Sequence, residues 1–188
     1  MKKEIDTTNN YNKEDIYKNL DNIISWINNS EVKASIALGL FGVIITVLFT
    51  NDGIIKKYAD LFKEVIKNIN FSDVLYILFI ILSIGTIFLG LYKLIKVLIP
   101  TLQTKFNLKK PSHIYFGSIA NFNSSLEFKE SLNDTTEEEL MDDLLNQVYI
   151  NSIICMNKFN NFQIGLKFSL SGFLLLIFLI IIGIIVYL

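Results

Sequence analysis

The sequence predicts an all-α membrane protein with about three spans, and three observations carry that expectation. The 188-residue chain is 52% hydrophobic, with a mean hydropathy of +0.45, too apolar for a small soluble domain. Uncharged apolar stretches recur at residues 34–50, 74–92 and 168–188, each near the length that crosses a hydrocarbon core of roughly 30 Å. Between and before them, apolar residues recur at intervals of three and four, the period of a helix. A small helical region is therefore expected between the second and third spans, with the last helix long and continuous into the membrane.

The chain opens with a polar tail, then a stripe at Ile16, Leu20, Ile23, Ile24 and Ile27, with Trp26 at the membrane approach. Residues 1–33 form this tail and amphipathic helix, and 34–50 the first span. Residues 28–33 either break the helix or carry it on into the bilayer. Ser35, Gly39 and Gly42 make a small-residue pattern that suits a close helix neighbour. Residues 51–73 form an amphipathic connection, with Ile54, Ile55, Tyr58, Leu61, Phe62, Val65, Ile66 and Ile69 on one side. Lys56, Lys57, Lys63 and Lys67 lie on the other. Residues 74–99 make the second span, closed by Pro100.

Residues 100–165 form the intervening region. Ser124 with Glu127 is a capping box for a short helix to about Leu132. Asp134, Thr135 and Thr136 are each followed three residues later by Glu, giving three capping registers for a helix from Glu137 to Leu188. Its first half has a stripe through Leu140, Leu144, Val148, Asn151 or Ser152, Cys155, Phe159 and Phe162. Its second half, 166–188, is the third span. Unbroken, it would be a rod on the order of 80 Å long. Gly165 is its visible weak joint, and replacing that glycine by alanine is expected to be tolerated.

Lysines near the ends of the spans set the orientation. Lys18, Lys33, Lys93, Lys96, Lys105, Lys109, Lys110, Lys158 and Lys167 fall on the side of the N-terminus and the 100–165 region. The 51–73 connection has four lysines. The N-terminus and 100–165 are therefore expected in the cytoplasm, in an inner-membrane protein without a cleavable signal peptide.

Several function classes recede. The near-neutral charge argues against binding a nucleic-acid polymer. Cys155 is the lone cysteine, so no intrachain disulfide can form. His113 is the lone histidine, the acids 137–143 lack calcium-loop spacing, and no Gly-rich phosphate loop precedes a helix. No catalytic, metal or cofactor site is expected.

Three segments carry a resemblance. Lys33-Ala34-Ser35 opens a membrane helix after a Trp-containing stretch. Ile114-Tyr115-Phe116-Gly117-x-Ile119-Ala120 follows the second span. Asp143, Gln147, Tyr149, Asn151, Ser152, Ile154 and Lys158 run toward the last span. Together, over residues 22–188, they resemble the transmembrane effectors of the Pycsar family, the pyrimidine cyclase system for antiphage resistance. That family tends to have an Asp shortly before its Lys-Ala-Ser, where this chain has Glu31. The resemblance implies a bacterial effector beside a pyrimidine nucleotide cyclase. Cyclic CMP or cyclic UMP would activate it to impair the inner membrane and abort infection.

A cyclic nucleotide needs a cation or N–H groups for its phosphate and a flat surface for its base. Lys109, Lys110, Lys129 and Lys158 are candidate cations; His113, Tyr115 and Phe116 are candidate platforms. Gln147, Asn151, Ile154 and Lys158 share one helix face at spacings of 4, 3 and 4. That face is equally suited to packing between helices, or to fixing register in a homo-oligomer. Alternative functions are an ungated, holin-like membrane toxin and a membrane anchor or assembly subunit.

Overall fold

A computed structural model describes residues 12–67, 69–101 and 111–187. Its elements are α1 (Lys13–Thr50), α2 (Asp52–Lys67), α3 (Phe71–Leu98), α4 (Phe116–Ile119), α5 (Ser125–Asn133) and α6 (Glu137–Tyr187). The described residues are all-helical, and α1, α3 and α6 are each long and apolar enough to cross a membrane. Most of the expected N-terminal tail lies outside the described residues, as do the candidate cations Lys109 and Lys110.

Local chemistry sets the helix starts. Asn12 begins α1: its Oδ1 accepts from Glu14 N at 3.2 Å, and Glu14 and Asp15 occupy the first turn. No break follows at 28–33, where the helix runs on through Thr50. At α3, Asn70 N donates to the buried Asp73 carboxylate at 2.8 Å. Of the three registers available to α6, Thr136 is used. Glu139 N donates to Thr136 Oγ1 at 3.2 Å, and Thr136 N donates to Glu139 Oε2 at 3.1 Å. Helix α5 has the expected Ser124 cap, with Glu127 reaching back to Asn123 N at 2.8 Å. Helix α3 ends at Leu98, before Pro100.

Contacts group the chain into two compact units, and α1 and α6 each contribute residues to both. The first unit comprises residues up to Asn28 together with Thr101–Met156. Its core joins Ile16 and Leu20 of α1 to Leu144 of α6, with Ile114, Met141 and Val148 packed around them. The buried face of α6 differs from the expected stripe here. Ile150 and Ile154 are buried and Ser152 is exposed, and polar Gln147 shares the buried face. Apolar residues surround this stretch of helix, so spacing alone did not select the face.

The second unit comprises Asn29–Pro100 and Asn157–Leu188. One cluster joins Ala34, Ala37 and Phe41 of α1 to Ile87, Leu94 and Val97 of α3 and Phe173 of α6. Phe41 and Phe173 stack with ring centroids 5.2 Å apart. A second cluster packs Leu61 and Val65 of α2 against Tyr76, Ile80 and Leu179. The buried Tyr76 hydroxyl donates to the Leu179 carbonyl at 3.0 Å, as a phenol in an apolar setting must find a partner.

Two expectations about small residues change. Ser35, Gly39 and Gly42 are exposed, and no neighbour lies within 4 Å of where a Cβ would sit on Gly39 or Gly42. The close approach is instead between α3 and α6, through Gly90 and Gly165. A Cβ on Gly165 would lie 2.9 Å from the Gly90 carbonyl oxygen and 2.9 Å from Leu94 N. The helix is continuous through Gly165, as expected, and this glycine is a helix-contact residue as well as the weak point its helix propensity makes it.

Candidate functional site

In the first unit the polar side chains converge on Ser112, the residue after Pro111. Its hydroxyl is buried and donates to Asp143 Oδ2 at 3.0 Å. It accepts from Tyr115 N at 2.9 Å, from Ile114 N at 3.1 Å and from Gln147 Nε2 at 3.1 Å. The same Asp143 oxygen accepts from His113 N at 2.8 Å. One hydroxyl has a single donor and two lone pairs, so its donor is used by Asp143 and the three N–H groups share its two lone pairs. Asp143 and Gln147 stand four residues apart on α6 and therefore present one face. Together they hold the 112–115 segment against that helix.

The three ring-bearing candidates lie on and next to this segment. His113 Nε2 lies 2.9 Å from Ser131 Oγ of α5, and its ring stacks on Phe122 and lies tilted against Phe128, both at 6.2 Å between centroids. Tyr115 is half-buried and packs on Phe116 with centroids 4.8 Å apart. The Tyr115 ring covers Gly117, where a Cβ would lie 2.5 Å from it, so the glycine lets the ring approach the backbone. The Phe116 side chain is exposed, an open aromatic face.

The six residues singled out in the sequence divide. His113, Tyr115, Phe116, Gln147 and Asn151 all belong to the first unit. Gln147 is bonded to the same hydroxyl that shapes the loop of His113 and Tyr115. Asn151 Nδ2 donates to the Gln147 carbonyl at 2.8 Å, one turn back on its own helix. Lys158 belongs to the second unit and is engaged there. Its buried ammonium pairs with Glu31 at 2.8 Å. It also donates to the carbonyl of Val97 and, at 3.3 Å, to that of Ile99. Those carbonyls close the C-terminal end of α3, where a cation is favoured. Lys129 is exposed on α5, a cation of the first unit.

Ser112 and Asp143 are the residues that sequence reasoning undervalued. Asp143 and Gln147 at i and i+4 are a signal, but their partner is 31 positions away from Asp143. Replacing Ser112 by alanine would remove one hydrogen bond each from Asp143 and Gln147 and two from the 114–115 backbone. We expect a loss of about 1–3 kcal/mol in the first unit. Hydrogen exchange should show lost amide protection at 113–115 while α3 keeps its own.

Other chemistry is limited. Burial pushes the Cys155 thiol up, away from the reactive thiolate. Among the described residues no three His, Cys, Asp or Glu side chains gather as metal ligands would.

Three membrane-length helices, with a helical unit built largely from the region between the second and third, define a multi-span α-helical membrane protein. The chain belongs to the Pycsar effector family: residues 15–185 match the Pycsar effector protein domain. It is 30% identical over 179 residues to the Pycsar effector protein GmPycTM of Gulbenkiania mobilis, covering 89% of this chain and 90% of that relative. The match runs through both units, and no solved structure matches the chain significantly.

Proposed function

We propose that this protein is an antiphage effector of the bacterial inner membrane, switched on by a cyclic pyrimidine nucleotide, cyclic CMP or cyclic UMP. A partner pyrimidine cyclase supplies that messenger on infection. The effector then impairs the membrane, and the infected cell dies before phage is released. It catalyses no reaction and needs no cofactor. The observation that carries this reading is the family match over residues 15–185, which embraces the spans and the first unit alike.

The first unit is the sensing region in this proposal. It offers aromatic and imidazole rings at His113, Tyr115 and Phe116, beside a segment braced by Asp143 and Gln147, and the exposed Lys129 on α5. A base would stack on the rings while the phosphate takes a cation. The nine-to-four lysine asymmetry supports a cytoplasmic location for this unit, where the messenger would be made. The effector acts as a homo-oligomer.

The test co-expresses the full chain with an active or an inactive pyrimidine cyclase. Depolarisation should appear with the active cyclase alone, and purified protein should bind one of the two cyclic nucleotides. A reporter fused after Asn133 should register as cytoplasmic. Equal depolarisation with the inactive cyclase would overturn the proposal in favour of an ungated toxin.

A further inference from the structure

Helix α2 carries three parallel rows that the family assignment does not use. Leu61 and Val65 are buried against α3 and α6. One residue further on, Phe62 and Ile66 are exposed, and Ile55 lies on the same row seven residues before Phe62. One residue further again come Lys56, Lys63 and Lys67, all exposed, with the half-buried Asp60 on the same row between Lys56 and Lys63. Each step of one residue turns about 100° around the helix. The order is therefore a protein-facing row, an apolar row exposed beside it, and then a lysine row. A helix in the boundary between acyl chains and headgroups has this order.

The exposed row adjoins a cavity. Phe62 helps to line an apolar space of about 280 Å³, with Ile45 and Phe49 of α1, Ile84 and Phe88 of α3 and Phe173 of α6. Every one of these residues belongs to the second unit. Apolar cavities exclude water and take apolar guests. Between spanning helices, the surrounding medium is hydrocarbon.

We propose that α2 and this cavity form a binding site for one anionic phospholipid. An acyl chain occupies the cavity past Phe62, and the phosphate sits on the Lys56, Lys63 and Lys67 row. Charge complementarity favours an anionic lipid over a zwitterionic one, since the row presents three ammonium groups against the single carboxylate of Asp60. Lys63 and Lys67 do contact Asp60 and Glu64, at 3.5 and 3.4 Å. Those are exposed pairs of the kind that contributes little, so a phosphate can displace them. Lysine stems also cover apolar surface while the ammonium reaches a headgroup.

Native mass spectrometry of the full chain, released from nanodiscs of mixed zwitterionic and anionic phospholipid, tests this. The chain should retain one anionic phospholipid. Replacing Lys56, Lys63 and Lys67 together by glutamine should cut that retention at least fivefold, and the matching arginine triple should keep it. Ile84→Trp, which fills the cavity, should reduce retention of every lipid. Thermal melts in detergent identify any variant that fails to fold, and the arginine triple then decides. Retention without headgroup preference, or unchanged in both the glutamine triple and Ile84→Trp, would overturn the site. So would efficient cross-linking between copies through Phe62→Cys in a Cys155→Ser background, since the row would then face protein.

Discussion

Replacing Lys158 by alanine should destabilise the second unit by about 3 kcal/mol, roughly a hundredfold in its folded-to-unfolded ratio. Three acceptors lose their partner at once: the Glu31 carboxylate and the carbonyls of Val97 and Ile99. Removing one member of a buried pair leaves the other charge uncompensated, at about 3–5 kcal/mol. The low end applies because the Glu31 side chain is 37% exposed and water can solvate it. Glu31→Gln should cost less, since an amide oxygen still accepts from the ammonium. Denaturant titration in detergent micelles measures both, and a double variant gives their coupling. Cyclic nucleotide affinity of the folded Lys158→Ala protein should be unchanged. A stable protein with weakened nucleotide binding would return Lys158 to the ligand face that its spacing with Gln147 and Asn151 suggested.

That contrast shows where sequence was informative. Spans and caps are local, so the apolar windows, Ser124 with Glu127, and Thr136 with Glu139 could be read directly. Partners far apart in sequence could not. Lys158 and Glu31 both stand in segments that carry the family resemblance, yet nothing in either segment says that they pair across 127 positions. The spacing of Gln147 and Lys158 placed both on one face of α6, and both are indeed buried. Periodicity states that residues share a face; it does not state that a long face serves two different neighbourhoods. Gln147 is engaged in the first unit and Lys158 in the second. Small residues mislead for the same reason. Ser35, Gly39 and Gly42 had the spacing of a helix contact, but the close approach belongs to Gly90 and Gly165, whose partners lie 75 positions apart.

Gly165→Ala should therefore be destabilising, although propensity alone argues the reverse. Alanine is about 1 kcal/mol better than glycine inside a helix, so a glycine that merely weakened α6 would be improved by the change. The contact decides the sign. The added carbon would meet Gly90 O and Leu94 N, each at 2.9 Å. Both are backbone atoms and cannot rotate away as a side chain would. Relief requires α3 and α6 to separate, which loosens the contacts Leu94 and Leu166 make in the same cluster. Overpacking of this kind costs about 1–3 kcal/mol, more than the propensity gain. The measurement is the unfolding midpoint in detergent, with Gly39→Ala as control: it sits on a spanning helix too, but its Cβ has nothing within 4 Å. Gly39→Ala should hold or raise the midpoint, and Gly165→Ala should lower it. Gly90→Ala should lower it as well, because its Cβ would lie 2.8 Å from the Gly165 carbonyl oxygen. Equal midpoints for Gly39→Ala and Gly165→Ala would show that α3 and α6 are not held at backbone contact.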